Sequence, residues 1–268
     1  MTKVGRPRKH TDEKTRWRKA SKAYRRRHRP VTPRTARKRA EQAAREAQAT
    51  GERCTVSPTV TLLCKAIADV TDDDVAPGSL DAIITDPPYG RAFLPLYDAL
   101  GAFAVRYLKP GGTLATQHGD VFLDDVLRRL GAQPGLDFQV QLLWHLQGAE
   151  TSTSMTTGYS YFTKSILVYR KAPWTPLRYN QSQYWSLPQT STRTAHHAWG
   201  QESAGIAEIV KRVTTPGMLV CDPFLGGGTT ALVALEQHAA FIGIDKDPAH
   251  IETVTARLAA YRAAEAAA

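Results

Sequence analysis

Cysteine is scarce in this chain: three residues in 268, at Cys54, Cys64 and Cys221. They are odd in number, far apart and never in a C-x-x-C pair, which argues against a disulfide framework or a thiolate zinc site and leaves core or surface thiols. No stretch approaches ~20 uninterrupted apolar residues, so no membrane span is expected. The N-terminus lacks a short charged region followed by an apolar one, so no secretory signal is expected, and a soluble, intracellular protein follows. Histidine, cysteine and acidic residues nowhere cluster with metal-ligand spacing, and no metal is expected. His118, His145 and His238 read as partly buried or surface residues rather than catalytic groups.

Acidic residues are scarce in one region only. Residues 1–53 hold 19 Lys and Arg against 5 Asp and Glu, a charge of +14, while the remainder holds 16 against 20, or −4. The basicity therefore belongs to a tail. Such a tail favours nucleic acid, because each phosphate it neutralises releases condensed counterions. Gly5-Arg6-Pro7-Arg8-Lys9 resembles an AT-hook core, which lies in a narrow minor groove. A generic disordered basic arm accounts for the same composition. Residues 34–49 have helix propensity without a sustained apolar stripe, so a helix there is solvated or forms against DNA.

Residues 54–268 alternate strand and helix, and with 42% hydrophobic residues in the chain they can bury a sizeable core. Strands are expected at 59–63, 80–85, 113–117, 138–146, 165–169, 218–221 and 240–244. Leu96, Leu100, Phe103 and Tyr107 recur at helical spacing, and Lys109-Pro110-Gly111-Gly112 stops that helix. Asp120 is placed to cap a helix carrying Leu123, Val126, Leu127 and Leu130. Ile206, Ile209, Val210 and Val213 form another helix face, and Ile251, Val254, Leu258 and Tyr261 a closing one. Residues 148–164 and 173–199 read as long polar and aromatic loops. Trp144 is expected to pack in the sheet, while Tyr159, Tyr161 and Phe162 are candidates to touch DNA. Seven strands with helical crossovers imply a mostly parallel, doubly wound α/β sheet.

Two strings carry chemistry. Asp222-Pro223-Phe224-Leu225-Gly226-Gly227-Gly228-Thr229-Thr230 turns from a strand into a helix, and the next strand ends at Asp245, placed to accept from a ribose diol. The phosphate-binding alternative needs Gly-Lys-Ser/Thr or G-x-G-x-x-G, and neither is present, so an adenosylmethionine site is preferred. Asp86-Pro87-Pro88-Tyr89 ends a buried strand with a carboxylate, a free Pro87 carbonyl and a stacking face. Two acceptors and a ring suit a planar amine, whose two N–H groups would be held by Asp86 and the Pro87 carbonyl. An ordinary Asp-Pro turn would leave the accompanying glycine turn unexplained.

These two strings together resemble the catalytic and cofactor motifs of amino-directed DNA methyltransferases, over roughly residues 58–262. The catalytic motif comes first, as in the permuted beta class of adenine-N6 and cytosine-N4 enzymes of bacteria and phages. The resemblance implies a class I methyltransferase (Rossmann-like) fold in circularly permuted order, preceded by the arm. It implies S-adenosyl-L-methionine as cofactor, held by Asp222, Pro223, Phe224, Gly226, Gly228, Thr229 and Asp245. It further implies a target-base site at Asp86, Pro87, Pro88 and Tyr89, with 148–164 and 173–199 as target-recognition loops. Gln201 falls where the family has Lys in a cofactor-contacting segment, and Leu63-Cys64 replaces the family's usual Gly-Asp. Double-stranded DNA is the implied substrate and cytoplasm the implied location, near the nucleoid; a homodimer and a cognate restriction nuclease are partners the resemblance admits. An initial Asp favours adenine N6 over cytosine N4. The rival from another class is a non-catalytic DNA-binding protein on a degenerate methyltransferase fold.

Overall fold

The computed structural model describes residues 53–57, 59–146, 152–153, 158–176, 182–187 and 203–266. The basic arm, with its AT-hook-like segment and the helix expected over 34–49, and Gln201 lie outside the described residues. Nine strands among the described residues form one sheet: β1 (Arg53–Ser57), β2 (Val60–Cys64), β3 (Leu80–Thr85), β4 (Leu108–Gln117), β5 (Leu136–Leu146), β8 (Thr163–Lys171), β9 (Tyr184–Leu187), β10 (Leu219–Asp222) and β11 (Ala240–Asp245). Their order is β1-β2-β11-β10-β3-β4-β8-β5-β9. From β2 to β4 neighbours are parallel; β8 returns antiparallel to both β4 and β5. All seven expected strands are present in this mixed sheet, and the two additional ones extend its edges.

The sheet is sandwiched, because its central strands bury both faces. On one side helices α1 (Pro95–Tyr107) and α2 (Leu123–Gly131) cover Leu63, Ile83, Leu114, Leu167 and Ile244. On the other, α3 (Ser203–Val213), α4 (Thr229–Glu236) and α5 (Pro248–Ala266) cover Leu62, Ile84, Ala115, Trp144 and Ile166. Successive residues of each strand alternate between these two cores, as the period of two requires. Strand β3 leads through α1 to β4, whereas β10 leads through α4 to β11 on the opposite face. The chain therefore switches sides between β10 and β3, and a crevice opens at their carboxyl ends. No helix among the described residues is long and apolar enough to cross a membrane.

Several local expectations are corrected. Asp120 does not cap an α-helix: it begins a 3-10 turn, Asp120–Phe122, and α2 follows from Leu123 without a side-chain cap. The 148–164 segment is not simply a loop, since β6 (Ser152–Thr153) pairs with β7 (Ser160–Tyr161) and β8 already begins at Thr163. Within 173–199, β9 pairs in parallel with β5, so tertiary pairing makes a strand where the sequence shows no periodicity. Trp144 is fully buried, and His118 is buried with its Nε2 3.0 Å from Ser165 Oγ.

Candidate functional site

The crevice holds a cavity of about 1180 Å³ lined by residues from both strings. Asp86, Pro87, Pro88, Tyr89, Asp222, Pro223, Phe224, Gly226, Thr229 and Asp245 all border it. Strands far apart in sequence thus deliver their C-terminal loops to one place. Gly228 does not line the cavity. It stands behind the loop at a left-handed φ of 74°, where a Cβ would come within 2.5 Å of Val254. Glycine is required there by conformation and by space, so that α4 can start against α5.

The glycine turn is tied to the end of β11. Leu225 N donates to Ile244 O at 3.0 Å, and Gly226 N donates to Asp245 Oδ2 at 2.9 Å. Asp245 Oδ1 accepts from Asp247 N at 2.9 Å, and His250 Nδ1 lies 3.0 Å from Oδ2. Burial works to raise the Asp245 carboxyl, but His250 and the two backbone donors outweigh it and hold the group below the ordinary carboxylate range. It is an ionised acceptor at the edge of the cavity.

Asp222 is fully buried and welds the two strings together. Thr85 Oγ1, the last residue of β3, donates to Asp222 Oδ1 at 2.6 Å across 137 residues of sequence, and Phe224 N donates to the same oxygen at 3.1 Å. Burial dominates these bonds and pushes the carboxyl up to about 6, with the Asp86 charge adding to the rise. Asp86, one residue beyond Thr85, is likewise pushed up to about 6 by burial, against the pull of the Tyr89 hydroxyl and of Lys164. Tyr89 donates its hydroxyl to Asp86 Oδ1, and the residue as a whole is 48% exposed. Burial and the neighbouring Asp86 raise that phenol far above its usual range, so it remains a donor.

The residues that sequence reasoning missed reach the cavity from other elements. Lys65, Gln117, Lys164, Ile206, Ile209 and His250 line it. Position relative to the motifs signals His250, in the first turn of the helix after Asp245; Lys164 and Ile206 carry no such signal. Lys65 stands just after Leu63-Cys64 and pairs with Asp74 at 2.7 Å. Among the exposed aromatics, Tyr159 is 72% and Phe162 49% exposed, outside the cavity lining.

Comparison with known proteins adds to this geometry. A family model described as DNA methylase, for N6 and N4 methyltransferases, matches residues 80–256, about two-thirds of the chain. The type II methyltransferase M.HpaI of Haemophilus parainfluenzae is 26% identical over 218 residues, covering 67% of this chain and 68% of that protein. Over a shorter stretch of 93 residues, M.ScaI of Streptomyces caespitosus is 32% identical, covering 32% of this chain and 30% of that protein. The fold is shared with the M1.HpyAVI–SAM complex (TM-score 0.57, 21% identity, 74% of this chain and 99% of that one). It is also shared with the cytosine-N4-specific PvuII DNA methyltransferase (TM-score 0.65, 14% identity, 80% and 89%). With both strings inside the matched region and gathered at one crevice, the chain belongs to the N6/N4 DNA methylase family.

Proposed function

We propose that this protein methylates the N6 amine of adenine in double-stranded DNA, with S-adenosyl-L-methionine as the methyl donor. The observation that carries the reading is the convergence of Asp86, the glycine turn and Asp245 on one cavity at the switch point of the sheet. The residues present fit the cofactor. Gly226 keeps side-chain bulk out of the turn, Asp245 offers an ionised acceptor for a ribose diol, and the volume exceeds what a single small ligand fills. When bound, the cofactor supplies an electrophilic methyl group.

The rest is the work of the chain. Asp86 and the Pro87 carbonyl accept the two N–H groups of the exocyclic amine and orient its lone pair. A base stacked in a duplex cannot enter this crevice, so it must flip out, at a cost of a few kcal/mol. Tyr89 is positioned to offset part of that cost. A carboxylate has two acceptor oxygens, so the amine can reach Asp86 while Tyr89 holds Oδ1, and the exposed Tyr89 offers a stacking face. The initial Asp of the tetrad favours adenine over cytosine. Residues 1–53, with their +14 charge, are proposed to supply most of the non-specific DNA affinity.

Mass spectrometry of nucleosides from DNA of cells expressing the protein tests the reading. N6-methyladenine above the empty-vector control supports it. N4-methylcytosine instead would reassign the base, and neither base above control, with cofactor binding retained, would favour the non-catalytic alternative. For the arm, a truncation starting at Cys54 should flatten the dependence of log affinity on log salt, whose slope is about −0.9 per phosphate neutralised. An unchanged slope would remove the arm from DNA binding.

A further inference from the structure

The cavity contains a cation that neither string supplies. Three lysines line it: Lys65 is paired with Asp74, Lys246 follows Asp245 at the cofactor end, and Lys164 acts on Asp86 at the amine end. Lys164 sits near the start of β8, directly across the ladder from Trp144 of β5, and its Nζ lies 5.3 Å from the centroid of that ring. Attraction between an ammonium and an indole face restrains the otherwise flexible lysine stem. The indole itself cannot shift. It is fully buried and seated on Gly205 of α3, where a Cβ would lie 1.8 Å from a ring carbon.

Sheet register brings this cation towards Asp86. Ile166 pairs with Gln117, while Thr116 pairs with Thr85, the residue before Asp86. Only β4 therefore separates the two strands, a span of two ladder spacings or roughly 10 Å between backbones. Lys164 and Ile166, two residues apart, share a face, and both border the cavity. Other titratable groups act on or near Asp86 from its own loop and from the neighbouring elements: Tyr89, Tyr97 of α1, Asp120 beside Tyr89, and Asp222 of β10. Each is neutral or negative when it ionises, so Lys164 is the positive member of this set.

We propose that Lys164, braced on Trp144, is a positioning residue that keeps Asp86 ionised and acceptor-only at neutral pH. Burial alone would favour a protonated acid, which has a donor where the amine needs an acceptor. Lys164 and Tyr89 are the groups that oppose it. The lysine opposes it from β8, a strand outside the tetrad, so its effect does not depend on the hydrogen bond of Tyr89. The proposal rests on the reading of Asp86 as the amine acceptor.

The test uses the full chain and two readouts. The first is a 13C NMR titration of aspartate carboxyls in the cofactor-free protein, with the Asp86 signal assigned through D86N. The second is the pH profile of kcat for methyl transfer to unmodified plasmid DNA. In Lys164→Met and Lys164→Gln the Asp86 midpoint should rise by about one pH unit, tenfold in proton affinity. The acid limb of kcat should move with it, KM for DNA should hold, and Lys164→Arg should restore both midpoints. An unmoved Asp86 midpoint in both neutral variants overturns the proposal, and so does a raised KM for DNA with an unmoved acid limb, which would make Lys164 a phosphate contact. Parental activity in D86N would instead sink the reading of Asp86 as acceptor, and the NMR midpoint would still report the coupling by itself.

Discussion

Asp86 and Asp245 stand at the same end of the parallel part of the sheet, separated by the strand that carries Asp222, yet their carboxyls are shifted in opposite directions. Asp245 is followed by residues that can donate: Asp247 N–H and His250, with Gly226 N–H arriving from the neighbouring loop. Asp86 is followed by Pro87 and Pro88, which have no backbone N–H to give. Backbone donors and His250 settle the first carboxylate in its ionised form. The second gets no such donors from the two prolines that follow it, and burial raises it. On the proposed reading, the cofactor end is suited to steady binding and the amine end to a bond that forms with substrate.

Breaking each end separately tests that contrast. Asp86→Asn should lower kcat by roughly 10²–10³-fold, the scale of losing one preorganised polar partner, with the cofactor Kd from calorimetry unchanged. A Kd that rose in parallel would merge the two ends into one. Asp245→Ala should do the reverse, weakening cofactor binding by roughly 10–100-fold for loss of a charged acceptor. Loss of kcat at saturating cofactor, with the Kd intact, would contradict the assignment.

Titration should separate the ends without any substitution. Asp86 is raised to about 6, so it takes up its proton as pH falls through that value, and kcat/KM should drop about tenfold per unit below it. Asp245 is held low, so cofactor affinity should stay level through the same window. Parallel loss of both would show that the two carboxylates are not electrostatically distinct.

The smallest effect concerns stability. Asp222 and Asp86 have folded-state pKa values above those of the unfolded chain, so their charged forms subtract stability at neutral pH, and the penalty fades as pH falls through about 6. Asp245 contributes in the opposite sense: its share is present at neutral pH and is lost only as pH falls through its lowered value. Asp222→Asn keeps an oxygen for Thr85 and Phe224 while removing the buried charge. It should leave Tm unchanged or raise it by a few degrees, corresponding to on the order of 1–2 kcal/mol. A fall in Tm of several degrees would mean that the charge, rather than its shape, holds the loops together.

Much of this was legible in the sequence because the two strings are contiguous and the central strands, buried on both faces, read as apolar runs such as Leu80–Thr85 and Ala240–Asp245. Edge elements were not. Tyr184–Leu187 and Arg53–Ser57 become strands only by pairing with β5 and β2, and Ser152–Thr153 only by meeting Ser160–Tyr161. Asp120 looked like a cap because its letter suits one, but the chain inserts a 3-10 turn before α2.

By itself the sequence singled out the candidates for chemistry, since Asp-Pro-Pro-Tyr and the glycine turn are short, local and stereochemically restrictive. It also determined that strands and helices alternate, because periodicity is a property of neighbouring residues. Only the tertiary structure decided the state of the site. Whether Asp86, Asp222 or Asp245 holds its proton depends on Thr85, Lys164, Gly226 and His250, brought to them from other loops and strands or from the next turn of a helix. Charge in a low-dielectric crevice is set by what lies within a few ångströms in space, and sequence distance says nothing about that.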